Sequence, residues 1–336
     1  MKVVVTGGAG FIGSHLCELA FKKGHDITVI DNITRTSFNL EYLKKNCPKI
    51  NFVKADVRNL DSFKDSFKDA DIVFHTAGQV AVTTSITNPA LDYSINSTGT
   101  FNVCEAARLS NKKPVIVFCS TNKVYGDLEI PVVEKEKRYE YRDIKGVSEK
   151  FEVSPETSNC PYGCTKINAE NILVSYFHTY GIPTVRARMS CIYGTRQFGI
   201  EDQGWISWFA IRTLLKKPLT IYGDGKQVRD ILFVKDHANA FFKLAENFKK
   251  TQGQAFNLGG GPENTISLIE LLELLNELTG IKTEIKFDNQ RQGDQKVYIS
   301  DTSKIKNTVD WKPEVNVREG VKQLVDWTRE NIGLFR

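Results

Sequence analysis

The stretch "VVVTGGAGFIGSH" at residues 3–15 decides the fold of this chain. An apolar run ends in a glycine-rich turn, and a pattern with helical spacing follows it. Gly8, Gly10 and Gly13 have the spacing G-x-G-x-x-G, and Gly7 extends it to G-x-x-G-x-x-G. A strand, a glycine turn and a helix in this order let a pyrophosphate approach the N-terminus of the helix. The stretch therefore predicts a dinucleotide-binding unit.

A second apolar run, Asp26–Ile30, leads to Asp31, which lies eighteen residues after Gly13. A carboxylate at this distance is expected to accept hydrogen bonds from the adenosine ribose hydroxyls and to repel a ribose 2′-phosphate. The predicted cofactor is therefore NAD rather than NADP. The residues expected to contact it are Gly7, Gly10, Phe11, Ile12, Gly13, Asp31, Asn32, Asp56, Val57, Ala77 and Gly78, together with Tyr162 and Lys166 of a motif described below.

The first half of the chain alternates strand-like and helix-like segments. This rhythm predicts an α/β protein with a Rossmann-type, doubly wound parallel sheet. The predicted strands are Val3–Thr6, Asp26–Ile30, Asn51–Lys54, Ile72–His75, Val115–Cys119 and Thr184–Arg188. The predicted helices are Phe11–Lys23, Thr98–Leu109 and Tyr162–Tyr180.

Beyond about residue 190 the helical patterns lie among loops rich in Gly, Gln, Arg and Asp. We therefore expect an NAD-binding Rossmann domain at residues 1–188 and a smaller C-terminal, mainly substrate-binding domain at residues 189–336. Segments near 228–258 are expected to return to the first domain. The predicted elements of this part are the helices Trp205–Leu215 and Leu268–Leu278 and the strands Ile231–Val234 and Ala255–Leu258.

A second motif, "PYGCTK" at residues 161–166, places Tyr162 and Lys166 four residues apart. On a helix this spacing puts both side chains on one face. A tyrosine has a pKa of about 10, and the Lys166 ammonium and a positive nicotinamide ring are expected to lower it. Tyr162 is then predicted to take a proton from a hydroxyl group while NAD takes a hydride from the same carbon. Thr121 is expected to donate a hydrogen bond to the reacting oxygen.

The composition argues against several classes of protein. A net charge of +5 with scattered lysines does not predict a nucleic-acid partner. No apolar run approaches the roughly 18 residues of a membrane span, so no membrane partner is expected. Seven cysteines without regular spacing predict neither a disulfide framework nor a metal site. Because the chain starts directly with a strand, no signal peptide is expected, and a cytoplasmic protein is predicted.

Taken together, the motifs resemble those of the extended short-chain dehydrogenase/reductase family, and within it the nucleotide-sugar epimerases and dehydratases. The resemblance covers most of the chain. The matching stretches are "TGGAGFIGSH" (6–15), "DN" (31–32), "STNKVYGD" (120–127), "PYGCTK" (161–166), "YGDGKQVRD" (222–230) and "RQGDQ" (291–295).

The resemblance implies roles for individual residues. Thr121, Tyr162 and Lys166 match the family's catalytic triad, with NAD retained between two half-reactions. Arg229 and Arg291 match arginines that bind the diphosphate of the sugar nucleotide, a role that suits the guanidinium fork. The further candidates for substrate contacts are Ser85, Asn122, Lys123, Tyr193 and Gln203. Because relatives commonly pair through two long helices, a homodimer or homotetramer is expected.

The residues after Thr121 separate two reactions within this family. Relatives that dehydrate the sugar have an Asp-Glu pair there, as the acid and base of the elimination. This chain has Asn122 and Lys123 instead, and neither is a carboxylic acid. The return of the hydride to the oxidised carbon is then the simplest outcome, and the expected reaction is epimerisation.

Three stretches resemble the subgroup of epimerases that invert C2 of a CDP-hexose. They are "STNKVYGD" (120–127), "GQVAVTTS" (78–85) and "RQFGIEDQGWISWF" (196–209). The resemblance implies a CDP-sugar substrate, with CDP-paratose, CDP-tyvelose and CDP-glucose left open. The alternatives are a 4-epimerase of a UDP- or CDP-hexose, a 4,6-dehydratase, and a non-catalytic NAD-binding sensor.

Overall fold

The computed structural model of the chain describes residues 1–153, 160–291 and 294–336. Gln292 and Gly293 of the motif "RQGDQ" lie outside the described residues. The strands are β1 (Lys2–Thr6), β2 (Asp26–Asp31), β3 (Asn51–Lys54), β4 (Ile72–His75), β5 (Val115–Thr121), β6 (Val132–Glu134), β7 (Tyr139–Tyr141), β8 (Thr184–Met189), β9 (Cys191–Tyr193), β10 (Leu219–Tyr222), β11 (Val228–Phe233), β12 (Ala255–Leu258), β13 (Thr265–Ser267), β14 (Ile285–Asp288) and β15 (Val297–Tyr298).

The helices surround these strands and differ widely in length. They are α1 (Phe11–Lys22), α2 (Phe38–Asn46), α3 (Val82–Thr87), α4 (Pro89–Tyr93), α5 (Gly99–Arg108), α6 (Pro161–Tyr180), α7 (Trp205–Leu214), α8 (Val234–Glu246), α9 (Phe248–Thr251), α10 (Leu268–Thr279), α11 (Ser303–Val309) and α12 (Val317–Glu330). In the described parts of the chain, no helix has the length and apolar character that a membrane crossing needs.

The main sheet has seven strands in the order β12-β8-β5-β4-β1-β2-β3, and all of its neighbouring strands pair in parallel. From β1 the chain winds first to one edge and then, from β4, to the other. The direction therefore reverses between β1 and β4, and ligands of doubly wound sheets bind beside such a reversal. The predicted fold class, a Rossmann-type doubly wound α/β sheet, is confirmed.

Helices cover both faces of this sheet, as the alternation of side chains in β1 illustrates. Val3 and Val5 pack in a core that includes residues of α1 and α8. Val4 packs in the opposite core, with residues of α5 and α6. Burial of both faces explains why the central strands read as continuous apolar runs, and each fully buried valine contributes roughly 1.5–3 kcal/mol.

A second, four-stranded sheet lies outside the main one, and it corrects one prediction. Strand β11 pairs with β13, β15 and β9, so the expectation that Ile231–Val234 returns to the main sheet is wrong. All six residues of β11 are buried, and an apolar run of this kind does not reveal which sheet it joins. Ala255–Leu258 does pair with β8 in the main sheet. The division of the chain at residue 188 stays a prediction.

Two local differences from the predictions position the site. Strand β5 continues two residues past Cys119, because Ser120 and Thr121 pair with β8. The predicted helix Thr98–Leu109 is preceded by α3, α4 and a π-helical turn at Ser94–Thr98. The sequence pattern did not predict these short helices, although Pro89 starts α4 at a position where proline is favoured.

Candidate active site

The glycine turn between β1 and α1 is packed too tightly for side chains. Gly7 has φ +68°, and a Cβ added there would lie 2.6 Å from the backbone nitrogen of Ala77. A Cβ on Gly13 would lie 2.1 Å from the carbonyl oxygen of Gly7. These two glycines therefore bring the turn against the end of β4 and against the first turn of α1. Backbone N–H groups at such a helix N-terminus favour a negatively charged ligand.

Asp31, at the end of β2, holds this turn in place. Its carboxylate accepts hydrogen bonds from the backbone N–H groups of Ala9, at 3.0 Å, and Ile33, at 2.8 Å. Burial raises the pKa of Asp31, and these backbone hydrogen bonds act in the opposite direction. Beside it, the Asn32 side chain donates to Asp56 at 3.0 Å.

We call the groove above this turn the cofactor cleft. Nine of the residues predicted to contact NAD border it: Gly7, Gly10, Phe11, Asp31, Asn32, Asp56, Val57, Ala77 and Gly78. Gly13 lies beneath the turn, and Ile12 borders the neighbouring pocket. The sequence analysis did not identify Thr34, Arg35, Ile95 and Phe198, which also border the cleft, because no motif spacing marks them. The space and the acceptor at Asp31 fit a dinucleotide such as NAD.

A second cavity, which we call the central pocket, contains the predicted catalytic groups. Thr121, Asn122, Lys123 and Tyr162 border it together. The Thr121 side chain is hydrogen-bonded to the Tyr162 hydroxyl. Burial raises the pKa of Tyr162, and the hydrogen bond with Thr121 counteracts only part of this effect. The phenol is therefore protonated in this structure at neutral pH.

Lys166 lies beneath the pocket, with its side chain buried. Its Nζ donates a hydrogen bond of 2.7 Å to the carbonyl oxygen of Cys119 and lies 4.4 Å from the centre of the Phe118 ring. Burial lowers the pKa of Lys166 to about 8. Desolvation of the phenol is the largest influence on the pKa of Tyr162, and the expected lowering by Lys166 together with the nicotinamide charge stays a prediction.

A buried polar network, absent from the sequence predictions, supports the ends of β5 and β8. Glu170 on α6 accepts hydrogen bonds from Ser120, at 2.6 Å, and from Arg188, at 2.8 Å. Arg188 also donates to the Tyr125 hydroxyl at 3.1 Å. Because breaking one member of such a network leaves an unpaired buried charge, the network keeps the strand ends in one arrangement. Thr121 and the helix of Tyr162 are attached to this support.

The third cavity, which we call the outer pocket, contains charged side chains. Lys123, Gln203, Arg229 and Arg291, all predicted from the sequence, border it. The Arg229 guanidinium is paired with Asp294, and its side chain is 10% exposed. Asp230, the next residue in the chain, is buried, and its carboxylate accepts a hydrogen bond from the backbone N–H of Gly261.

Arg291 is held differently from Arg229. Its guanidinium lies 3.8 Å from the centre of the Tyr222 ring and 3.2 Å from the Asp202 carboxylate. Both arginines therefore have acidic partners within reach, at the positions where a diphosphate was expected. An anionic ligand would compete with these carboxylates for the same N–H groups.

One segment, residues 196–204, borders all three cavities. Gln203 lies where they meet, and its side-chain oxygen has no hydrogen-bond partner among the described residues. The start of the segment is anchored by Arg196, which pairs with Glu18 at 2.7 Å. Phe198 packs against the rings of Phe38, Trp327 and Phe335.

Two predicted substrate contacts lie in other surroundings. Ser85 borders none of the three cavities; it is buried and donates to the carbonyl oxygen of Val82 at 2.7 Å. Tyr193 borders the central pocket but is 1% exposed, with its ring packed on Phe233. Neither position supports a hydrogen bond from the side chain to a substrate.

A doubly wound sheet, a glycine turn and a Thr-Tyr-Lys group beside it define a Rossmann-type enzyme that uses NAD. The chain belongs to the NAD-dependent epimerase/dehydratase family, whose model matches residues 3–259. This confirms the family predicted from the motifs and confirms NAD as the cofactor.

Individual relatives agree with this membership. The chain is 41% identical to CDP-paratose 2-epimerase of Salmonella typhi, covering 98% of this chain and 99% of the relative. It is 32% identical to UDP-glucuronate 4-epimerase of Thermodesulfobacterium geofontis, covering 99% and 98%. Among solved structures, UDP-glucose 4-epimerase of Thermus thermophilus in complex with NAD has a TM-score of 0.82 at 30% identity, covering 98% of this chain and 99% of that one.

Proposed function

We propose that this protein is an NAD-dependent epimerase that inverts C2 of a CDP-hexose through a transient 2-keto sugar. CDP-paratose, CDP-tyvelose and CDP-glucose are the candidate substrates. The observation that carries the proposal is the central pocket, which presents Thr121 and Tyr162 next to an amide and an ammonium at positions 122 and 123. The similarity to a CDP-paratose 2-epimerase over almost the whole chain supports a substrate with a cytidine base and inversion at C2.

The residues of the chain have distinct tasks in this reaction. Tyr162 removes the proton of the C2 hydroxyl group and later returns one, and Thr121 holds the reacting oxygen by a hydrogen bond. A bound NAD would supply the acceptor for a hydride from the sugar carbon and the donor for its return to the opposite face. Gly7, Gly13 and Asp31 shape the cleft that would hold it.

The state of the phenol limits the first step. Burial favours the protonated form of Tyr162. For Tyr162 to act as a general base, additional positive charge is therefore needed beside its phenol ring. The oxidised nicotinamide carries such a charge, and Lys166 contributes another from below the pocket. Tyr162 is therefore expected to become a base only in the loaded enzyme.

A 4-epimerase of a UDP- or CDP-hexose is the second candidate. The similarities to a UDP-glucuronate 4-epimerase and a UDP-glucose 4-epimerase favour it. It would use the same Thr121, Tyr162 and Lys166, and it would differ only in which sugar carbon faces the phenol. A 4,6-dehydratase is less well supported, because positions 122 and 123 lack the pair of carboxylic acids that relatives use for the elimination.

The proposal is tested by incubating the purified protein with CDP- and UDP-hexoses in deuterium oxide and following the products by NMR. We expect inversion at C2 of a CDP-hexose without deuterium at the inverted carbon, because the hydride returns from the cofactor. Inversion at C4 instead would replace this proposal by the 4-epimerase. Deuterium at the inverted carbon would exclude hydride return altogether.

We also propose that two copies of the chain associate through α5 and α6. Tyr93, Phe101, Leu109 and Tyr180 are exposed on or next to α4, α5 and α6. The ring of Tyr176 contacts those of Phe101 and Tyr180, and exposed apolar side chains that lie close together are typical of a protein interface. Light scattering after gel filtration should show a dimer or tetramer, and Phe101→Asp should weaken it. A monomeric wild type would contradict the idea. The cytoplasmic location stays a prediction.

A further inference from the structure

Lys123 occupies a place that no other described cation shares. It borders both the central and the outer pocket, whereas Arg229 and Arg291 border only the outer one. Among the described residues, Lys123 is the one lysine or arginine that borders the central pocket. Its backbone N–H donates to the Thr121 hydroxyl at 3.2 Å, which ties its position to the reacting groups.

The electrostatic surroundings of Lys123 suit an anionic ligand. Burial lowers the pKa of its ammonium, and the positive charge of Arg229 acts in the same direction, while Asp294 and Asp127 oppose it. A phosphate placed between Lys123 and Arg229 would favour the charged forms of both. An ammonium binds phosphate as a compact charge with three donors.

The chemistry of the substrate explains why a cation is needed in the central pocket. In a nucleotide sugar the phosphate is attached to C1, and C2 is bonded directly to C1. C4 lies on the opposite side of the ring. When C4 faces the catalytic phenol, the phosphate is therefore a full ring away from it. When C2 faces the phenol, the phosphate must come close to the reacting atoms.

We propose that Lys123 binds the phosphate adjacent to the sugar at the junction of the central and outer pockets, and thereby places C2 rather than C4 opposite Tyr162. The inference rests on the proposed function and adds the residue that determines which carbon is oxidised. Arg229 and Arg291 bind the same diphosphate farther out and contribute affinity without selecting the carbon.

The test uses the full-length protein with its bound NAD and compares wild type with Lys123→Met and Lys123→Arg. CDP-hexose is added, the keto intermediate is reduced with borodeuteride, and mass spectrometry locates the deuterium on the sugar. Lys145→Met serves as a control, since Lys145 is exposed and borders none of the three cavities. Bound NAD per chain reports whether each variant is folded.

In the wild type we expect deuterium at C2. In Lys123→Met, labelling at C2 should fall by about 100-fold, as for a substrate misplaced by about an ångström. The fraction of the deuterium that is found at C4 should rise. The Kd of CDP should change by less than about tenfold, because the two arginines remain. Lys123→Arg should recover part of the labelling at C2, since it keeps the charge.

Each other outcome is informative. If Lys123→Met labels C2 within about threefold of wild type, a difference below 1 kcal/mol, the inference is overturned and the proposed function stands. If wild type itself labels C4 or no carbon, the proposed function fails. If Lys123→Met loses its NAD and does not fold, a crystal structure of wild type with CDP-hexose decides. A Lys123 Nζ within hydrogen-bond distance of the phosphate next to the sugar supports the inference, and a longer separation overturns it.

Discussion

The cofactor cleft and the outer pocket are formed by different kinds of chemical group. In the cleft, the tight turn at Gly7 and Gly13 packs backbone against backbone, and the Asp31 carboxylate accepts a hydrogen bond from this turn. The outer pocket is formed by long charged side chains from separate segments, such as Arg229 and Arg291. The first site therefore depends on steric exclusion, and the second depends on the balance of ion pairs.

The largest expected effect lies outside both regions, in the central pocket at Tyr162. Tyr162→Phe removes the group that transfers the proton, and kcat should fall by roughly 10²–10⁴-fold. Binding of NAD and of CDP should not change, because neither region is altered. The measurement is turnover by NMR, with the cofactor content determined in parallel.

Tyr180→Phe is the matched control, since Tyr180 is the last residue of the same helix and is exposed. It should keep the turnover of wild type. Equal turnover by Tyr162→Phe and wild type would show that the phenol has no part in the reaction.

The next prediction concerns a substitution that alters the cofactor cleft and leaves the outer pocket unchanged. In Gly13→Ala the new methyl group would lie 2.1 Å from the Gly7 carbonyl oxygen and 2.6 Å from the Gly8 Cα atom. Because these neighbours are backbone, we expect a loss of about 3 kcal/mol in the free energy of unfolding and loss of bound NAD. Urea unfolding and cofactor content measure the two effects. Gly333→Ala is the control, because nothing lies within 4 Å of its added Cβ.

The corresponding change in the outer pocket is Arg229→Gln. It removes a charged donor from the pocket and leaves Asp294 without this partner. We expect KM for the CDP-hexose to rise by roughly 10–100-fold, as for loss of a charged hydrogen bond, with the NAD content unchanged. Arg318→Gln, in an exposed ion pair with Glu277, should leave KM as it is. A loss of NAD in Arg229→Gln would contradict the separation of the two regions.

The smallest effect concerns stability and pH at Lys166. Its pKa falls from 10.5 to about 8 on folding, so between these pH values the unfolded chain binds more protons than the folded one. The free energy of unfolding attributable to this group therefore rises from pH 8 to pH 10.5. Lys166→Met should be more stable than wild type at pH 7 by up to about 3 kcal/mol, and the difference should shrink toward pH 10.5.

Urea unfolding of both proteins at pH 7 and at pH 10 checks this prediction. A variant that is less stable than wild type at pH 7 would show that the hydrogen bond from Lys166 to Cys119 outweighs the cost of burying its charge. The same variant should be inactive, which would separate the contribution of this lysine to stability from its contribution to activity.

The sequence predicted the Rossmann half of the molecule closely, and the reasons are local. The turn at residues 7–13 has geometry that only glycines permit, and α1 and α6 start and end within a residue of their predicted bounds. Strand β11 was assigned to the wrong sheet, because its apolar residues would be buried in either one. The sequence of the short helices before Gly99 has no clear helical periodicity.

The site was predictable where a motif spans a few residues and unpredictable where distant residues pair. Tyr162 and Lys166 could be placed on one helix face from their spacing. Arg229 pairs with Asp294, and Glu170 pairs with Arg188. Each partner comes from another segment of the chain, so no local sequence pattern predicts these pairs. The desolvation that raises the pKa of Tyr162 was also not predictable, since burial depends on the whole fold.

The position of residues 196–204 along all three cavities has a consequence for protein engineering. Exchanging this segment to admit a different sugar would also replace part of the wall that encloses the dinucleotide. Libraries built there should therefore be screened for retained cofactor before they are screened for new products. Thr220 on β10 borders the outer pocket but not the cofactor cleft, so a substitution there would leave that wall in place.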